Sequence, residues 1–168
     1  MSLPTKPLLA VILGLLSTAV FANVKAGDPF PAMTTAGLTG TLPATEGRVV
    51  LVDFWASWCA PCKASFPAYS KLQADYGTRG LVIVAVSIDE SPAAYERFIK
   101  NLHPPFATVH DQAQQLVRQV NVPTMPTCYL IGHDGKVRFV HQGFHGEDSE
   151  RELRKEIDTL LAEPANPS

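Results

Sequence analysis

The sequence predicts an α/β fold in which helices flank a central mixed β-sheet. Two apolar runs rich in β-branched residues, 48–56 and 81–88, predict buried central strands. Between them, residues 60–76 place apolar side chains three or four positions apart, which is typical of a helix. A further strand and a hairpin at 127–141 precede a closing helical segment. This order of elements predicts a single domain.

The first predicted strand is apolar on both faces, as expected when helices cover a sheet from both sides. Asp53 interrupts it. A carboxylate in a buried strand is costly unless it keeps its proton or finds a partner, so Asp53 is either functional or at an exposed strand end. The helix that follows is expected to end at Gly77. Pro67 predicts a kink within it, because proline removes one backbone donor.

The remaining elements are shorter and follow from the same periodicities. They are an inserted helix at 91–101, an extended piece at 106–109, a helix at 112–120, strands at 127–131 and 136–141, and a last helix at 147–161. Ser91 as N-cap and Pro92 at the first helical position favour the inserted helix. Asp134-Gly135 predicts a tight hairpin turn.

The N-terminal part divides into two segments. Residues 23–47 are rich in Gly, Pro, Thr and Ala and predict a lead-in arm or hairpin, with extended pieces at 30–34 and 39–42. In residues 1–22, Lys6 precedes a small and apolar run, and Ala22 ends a small-residue cleavage site. That pattern predicts a secretory signal.

The apolar run of residues 8–21 is shorter than the ~20 residues of a spanning helix, which favours a cleaved signal over a retained membrane tether. We therefore expect a signal peptide or N-terminal anchor at 1–22, the folded domain at 23–164 and a tail at 165–168. The expected location is the periplasm or another exported compartment. The net charge of −2 shows no excess of basic residues, so the sequence does not indicate nucleic-acid binding.

Cys59 and Cys62, separated by Ala60-Pro61, allow a zinc site, a structural disulfide or a redox centre. Zinc needs a second close ligand pair, which this sequence lacks, so no metal or other cofactor is expected. A Cys59–Cys62 disulfide closes too short a loop to stabilise the fold much. At the start of a helix, however, the positive end of the dipole favours a thiolate. This placement predicts Cys59 as nucleophile and Cys62 as the resolving thiol.

Residues 52–63, VDFWASWCAPCK, resemble the active-site segment of thioredoxins, and residues 125–127, MPT, resemble their second active-site loop. The predicted signal, the lead-in arm, the inserted helix and the sequence YLIGHDGK at 129–136 are more similar to the exported TlpA/ResA branch of thiol-disulfide oxidoreductases. The resemblance covers residues 27–161. It implies a thioredoxin-like fold with an N-terminal extension and an inserted helix.

The resemblance also implies roles for individual residues. Pro126 would be a cis-proline packed against the cysteine pair, and Met125 and Thr127 beside it would contact substrate. Trp58 would be an exposed apolar platform for substrate, and Asp53 would relay the proton of the inner thiol. ResA-like proteins often carry a glutamate three residues after the second cysteine, where this chain has Ser65. Without that glutamate, Asp53 or solvent would have to act as the acid and base.

Cys128 is expected to be a buried thiol in its strand. The function predicted for the whole chain is that of an exported thiol-disulfide oxidoreductase that reduces client proteins and receives electrons from a membrane thiol-disulfide donor. Two alternatives stay open at this point. One is a thiol oxidant or isomerase of the same fold, and the other is a non-catalytic binding or chaperone module with a structural disulfide. A peroxidase is disfavoured, because the chain lacks a Pro-x-x-x-Thr-x-x-Cys motif.

Overall fold

A computed structural model describes residues 23–164. The predicted signal peptide or anchor at 1–22 and the predicted tail at 165–168 lie outside the described residues. Five strands form one sheet in the order β3-β2-β1-β4-β5. The strands are β1 Val49–Trp55, β2 Leu81–Ser87, β3 Ala107–His110, β4 Thr127–Ile131 and β5 Val137–Gln142. β1, β2 and β3 are parallel, whereas β4 and β5 run antiparallel to their neighbours, which confirms the predicted mixed sheet.

The helices cover both faces of this sheet, as the apolar character of β1 predicts. They are α1 Ala60–Tyr76, α2 Pro92–Leu102, α3 Gln115–Val120 and α4 Glu147–Ala162. Side chains of α1, α2 and α4 pack with Leu51 and Trp55 of β1 on one face. Side chains of α3 and of the N-terminal arm pack with Val52 and Phe54 on the other. The fold is the predicted thioredoxin-like α/β fold with an inserted helix.

The sheet register brings three chain segments to one edge. β1 and β2 are parallel, with Trp55 opposite Ser87, so their carboxyl ends lie side by side. β4 starts at the same edge, because Thr127 pairs with Phe54. The start of α1, the segment after β2 and the segment before β4 therefore meet at this edge, where the cysteine pair lies.

Two local predictions are wrong in detail. α3 begins three residues later than predicted, at Gln115, because Gln114 adopts a left-handed conformation with φ 52°. The carboxylate of Asp111 accepts hydrogen bonds from the backbone N–H groups of Gln115 and Val117 and so holds the start of the helix there. In the arm, the extended piece predicted at 30–34 ends in a turn of 3₁₀ helix, Met33–Thr35.

The inserted helix begins as predicted, since the Ser91 side chain accepts a hydrogen bond from Ala94 N–H and Pro92 occupies the first turn. α1 continues through Pro67 to Tyr76. Within the described part of the chain, no helix combines the length and the apolar character needed to cross a bilayer.

Candidate active site

The cysteine pair lies at the junction of β1 and α1. Cys59 is the N-cap residue of α1, and it forms a disulfide with Cys62 in the first helical turn. Cys62 N–H donates a hydrogen bond to Cys59 Sγ over 3.2 Å. A free N–H at the start of a helix stabilises negative charge, so the same contact favours a thiolate on Cys59 once the disulfide is reduced.

The two cysteines differ in what surrounds them. Cys59 is 5% exposed and follows Trp58, whose side chain is 67% exposed, whereas Cys62 is fully buried. A groove beside Trp58 is lined partly by Ile88 and by Ala94 of α2. Cys59 therefore lies beside an exposed tryptophan, whereas Cys62 is buried beneath it.

Asp89 fixes the segment that leads into Cys59. Its buried carboxylate accepts hydrogen bonds from the backbone N–H of Ser57 at 3.1 Å and from the Ser57 hydroxyl at 2.8 Å. The Ser87 hydroxyl donates a further bond of 2.8 Å to it. Because Ser57 lies two residues before Cys59, these contacts set the backbone on which the nucleophile is presented.

We expect Asp89→Ala to destabilise the protein by about 2 kcal/mol, because it leaves the half-buried Ser57 donors without a partner. Urea unfolding measures this loss. The rate at which iodoacetamide alkylates Cys59 in the reduced protein should also fall. Glu90→Ala removes the exposed neighbouring carboxylate and serves as the control. Equal stability of the two variants would contradict the anchoring role of Asp89.

The predicted second loop lies at the same edge of the sheet. The Met125–Pro126 peptide bond is cis. Pro126 O accepts a hydrogen bond from Gly143 N–H at 2.7 Å, and the Thr127 hydroxyl donates to Thr124 O at 2.8 Å. Met125 packs against the buried cluster that contains both cysteines. The structure thus places residues 125–127 at the edge of the sheet where the cysteine pair lies.

Asp53 is fully buried on the face of the sheet that α1 covers. The hydroxyl of Tyr69 donates a hydrogen bond of 3.0 Å to Asp53 Oδ1. Oδ2 has no hydrogen-bond partner among residues 23–164. Burial raises the pKa of Asp53 well above its usual value, and the bond from Tyr69 lowers it by a smaller amount. A buried carboxyl whose pKa is raised in this way is a candidate for proton exchange.

Cys128 is buried, as expected, and lies directly opposite Asp53 in the pairing of β1 with β4. Burial is the main cause that raises the pKa of its thiol, and the negative charge of Asp53 adds to it. Such a thiol is a poor nucleophile, because the thiolate is the reactive form. Cys128 is a neighbour of Asp53 in the site rather than a third reactive cysteine.

His141 belongs to a small polar cluster of its own. Its Nε2 lies 2.6 Å from Glu156 Oε2, and its Nδ1 lies 3.8 Å from Glu152 Oε2. Ligand atoms of these three residues lie within 4.8 Å of one another, so they are the described residues that could hold a cation. The 2.6 Å contact pairs the His141 imidazole with the Glu156 carboxylate.

Sequence reasoning did not identify two of these contributors, Tyr69 and Asp89. Tyr69 lies within the predicted helix at 60–76, and its hydroxyl bonds to Asp53 of β1. Asp89 follows the carboxyl end of a buried strand parallel to β1. The ends of adjacent parallel strands share one edge of a sheet, and that rule was the available signal for Asp89.

Comparisons with known proteins agree with this geometry. The Redoxin family profile matches residues 25–157. The thiol-disulfide oxidoreductase ResA of Bacillus subtilis (strain 168) is 33% identical over 125 residues, which cover 71% of this chain and 70% of that protein. ResA of Oceanobacillus iheyensis is 36% identical over 105 residues, or 62% of this chain and 55% of that protein. A solved structure from Chlorobium tepidum, assigned as the thiol:disulfide interchange protein DsbE, has a TM-score of 0.73 at 32% identity and covers 83% of this chain and 100% of that chain.

Proposed function

This chain belongs to the Redoxin family and is a thiol-disulfide oxidoreductase, and from that premise we propose that it is an exported reductase of client-protein disulfides. One observation carries the proposal. Cys59 is the N-cap of α1 beside an exposed tryptophan, while its disulfide partner Cys62 is fully buried. This asymmetry supports one attacking thiol and one resolving thiol.

In the proposed cycle, the Cys59 thiolate attacks one sulfur of a client disulfide. A mixed disulfide forms, and the first client sulfur leaves as a thiolate that takes a proton from solvent. The Cys62 thiol then gives its proton to Asp53 and attacks Cys59 Sγ. The mixed disulfide breaks, the second client thiolate leaves, and the Cys59–Cys62 disulfide forms. Two electrons pass from the enzyme to the client.

Several features support particular parts of this proposal. Trp58 offers an exposed apolar surface to an extended client segment, and Met125 and Pro126 lie at the same edge of the sheet. Thr127 is fully buried at that edge, with its hydroxyl bonded to Thr124 O. The burial of Asp53 supports its role as the proton acceptor, since burial brings a carboxyl toward the pKa of a general base. The pattern of residues 1–22 supports export, with residues 8–21 as the tether if the segment is retained.

Return of the enzyme to the dithiol form needs a two-electron donor. A membrane thiol-disulfide protein is the donor we propose, because an exported protein works away from the reductants that keep cytosolic thiols reduced. The donor would attack the disulfide at Cys59, the less buried of the two cysteines, and Cys62 would leave as a thiolate that takes back the proton held by Asp53.

The reduction potential of the Cys59/Cys62 couple tests the direction of electron flow. We expect a value near that of thioredoxin, about −270 mV, when the protein is equilibrated with thiol buffers. A value near −120 mV would instead identify a thiol oxidant. The reduced protein should also expose one rapidly alkylated thiol. Two equally slow thiols would contradict a catalytic pair and indicate a binding module with a structural disulfide.

A further inference from the structure

Asp53 receives its hydrogen bond from a residue outside the cysteine motif. Tyr69 is as fully buried as Asp53, and its hydroxyl donates to Oδ1 over 3.0 Å. Among residues 23–164 this is the hydrogen bond that the Asp53 side chain accepts, since Oδ2 has no partner there. In a buried setting, a bond of this kind stabilises the charged carboxylate more than the neutral acid.

Tyr69 and Cys62 lie on the same side of α1. They are seven residues apart, which is about two helical turns. Ser65 lies between them and donates its hydroxyl hydrogen to Cys62 O at 2.7 Å, so its hydrogen is already engaged. One helix face therefore carries both the resolving thiol and the hydroxyl that holds Asp53.

The other strands supply no cation at this place. Ala85 of β2 is opposite Asp53, and Cys128 of β4 is its partner on the other side. One strand further, His141 pairs in register with Cys128 and is bonded to Glu156 of α4. Among the groups facing Asp53 from α1, β2 and β4, the Tyr69 hydroxyl is thus the one that favours the carboxylate.

We propose that Tyr69 is a positioning residue for the exchange reaction: its hydroxyl orients Asp53 and sets the pH range in which Asp53 accepts the proton of Cys62. The inference rests on the proposed function, in which Asp53 is the base. Tyr69 itself keeps its proton throughout, because burial and the nearby Asp53 carboxylate raise the pKa of its hydroxyl. The proton moves from Cys62 Sγ to the Asp53 carboxylate, and Tyr69 only donates its hydrogen bond.

Tyr69→Phe tests this role, because it removes the hydroxyl and keeps the ring. Without the hydrogen bond the carboxylate is less stable, so the pH at which Asp53 ionises moves up. At a pH below that point, we expect the mixed disulfide to resolve roughly tenfold more slowly than in the wild type. At high pH the two rates should converge. Rapid-mixing kinetics with a disulfide peptide, recorded across pH, measure the change.

Tyr76→Phe is a matched control on the same helix. The Tyr76 hydroxyl donates to Asp158 of α4 at 3.1 Å, away from Asp53. Its removal should leave the pH profile of the wild type unchanged. Urea unfolding of both variants reports any loss of stability separately, and a loss of packing alone would lower the rate by the same factor at every pH. A rate lowered equally at every pH would overturn the inference.

A second readout does not depend on catalysis. The side-chain carbon of Asp53 can be titrated by NMR in the wild type and in Tyr69→Phe, and we expect its midpoint to move to higher pH in the variant. An unchanged midpoint overturns the inference and leaves the proposed function standing. A midpoint that moves without any change in the rate profile overturns Asp53 as the base, and the inference falls with it.

Discussion

We expect Cys59→Ser to abolish disulfide reduction, with a loss on the order of 10³-fold or more, whereas Cys62→Ser stops the cycle one step later. A serine hydroxyl at position 59 keeps its proton at neutral pH and cannot replace the attacking thiolate. In Cys62→Ser the attack still occurs, but no thiol lies beneath Cys59 to break the mixed disulfide. The client therefore stays covalently bound through Cys59.

Non-reducing electrophoresis and mass spectrometry of Cys62→Ser with a disulfide-containing client measure this adduct. The matched control is the double variant Cys59→Ser/Cys62→Ser, which keeps Cys128 as its single cysteine. Cys128 is buried, so the double variant should trap nothing. Full reductase activity in Cys59→Ser, or an adduct in the double variant, would contradict Cys59 as the nucleophile.

The elements of the fold were predictable where local pattern and tertiary structure agree. β4 begins and ends as predicted, because Thr127–Ile131 is a compact apolar run bounded by turn residues on both sides. The start of α3 was missed because tertiary contacts fix it. The backbone N–H of Asp111 donates a hydrogen bond to Ser87 O of β2, and the Asp111 carboxylate accepts one from the backbone N–H of Gln115 in the first turn of α3. No helical periodicity reveals such a cap.

The site was predictable to the extent that it is local in sequence. The strand, the cysteine pair and the helix that follows are contiguous, so the N-cap position of Cys59 follows from the order of residues. The contacts of Asp53 are not local. They depend on which face of α1 meets which residue of β1 and on the antiparallel register that sets Cys128 opposite Asp53. The periodicity of a single sequence identifies the apolar face of a helix, but it does not identify the residue that this face contacts.

Asp53→Asn should change stability by an amount that depends on pH. The pKa of Asp53 is raised in the folded protein by burial. Below pH ~4, the usual carboxyl range, the acid is neutral in both states and burial carries no charge penalty. As pH rises through and above that range, the unfolded chain ionises freely and the folded wild type loses stability. The variant escapes this loss, so its advantage over the wild type should grow with pH.

Urea unfolding at acidic and mildly alkaline pH measures this difference, which should favour the variant more at the alkaline end than at the acidic end. Asp134→Asn is the control of opposite sign. The hydrogen bond from Arg138 is the main cause that lowers the pKa of Asp134. Its stabilisation is present above the usual carboxyl range and is lost as pH falls, so this variant should lose more at alkaline pH than at acidic pH.

The same Asp53→Asn substitution should slow resolution of the mixed disulfide at neutral pH by about 100-fold, because an amide cannot accept the proton of Cys62. The first step, attack by Cys59, should keep its rate, since it draws on the start of α1 rather than on Asp53. We therefore expect Asp53→Asn to be more stable than the wild type but slower in catalysis, because the buried Asp53 carboxylate destabilises the fold and is needed to accept the proton. A variant that is more stable with unchanged resolution would assign the proton of Cys62 to solvent and remove Asp53 from the mechanism.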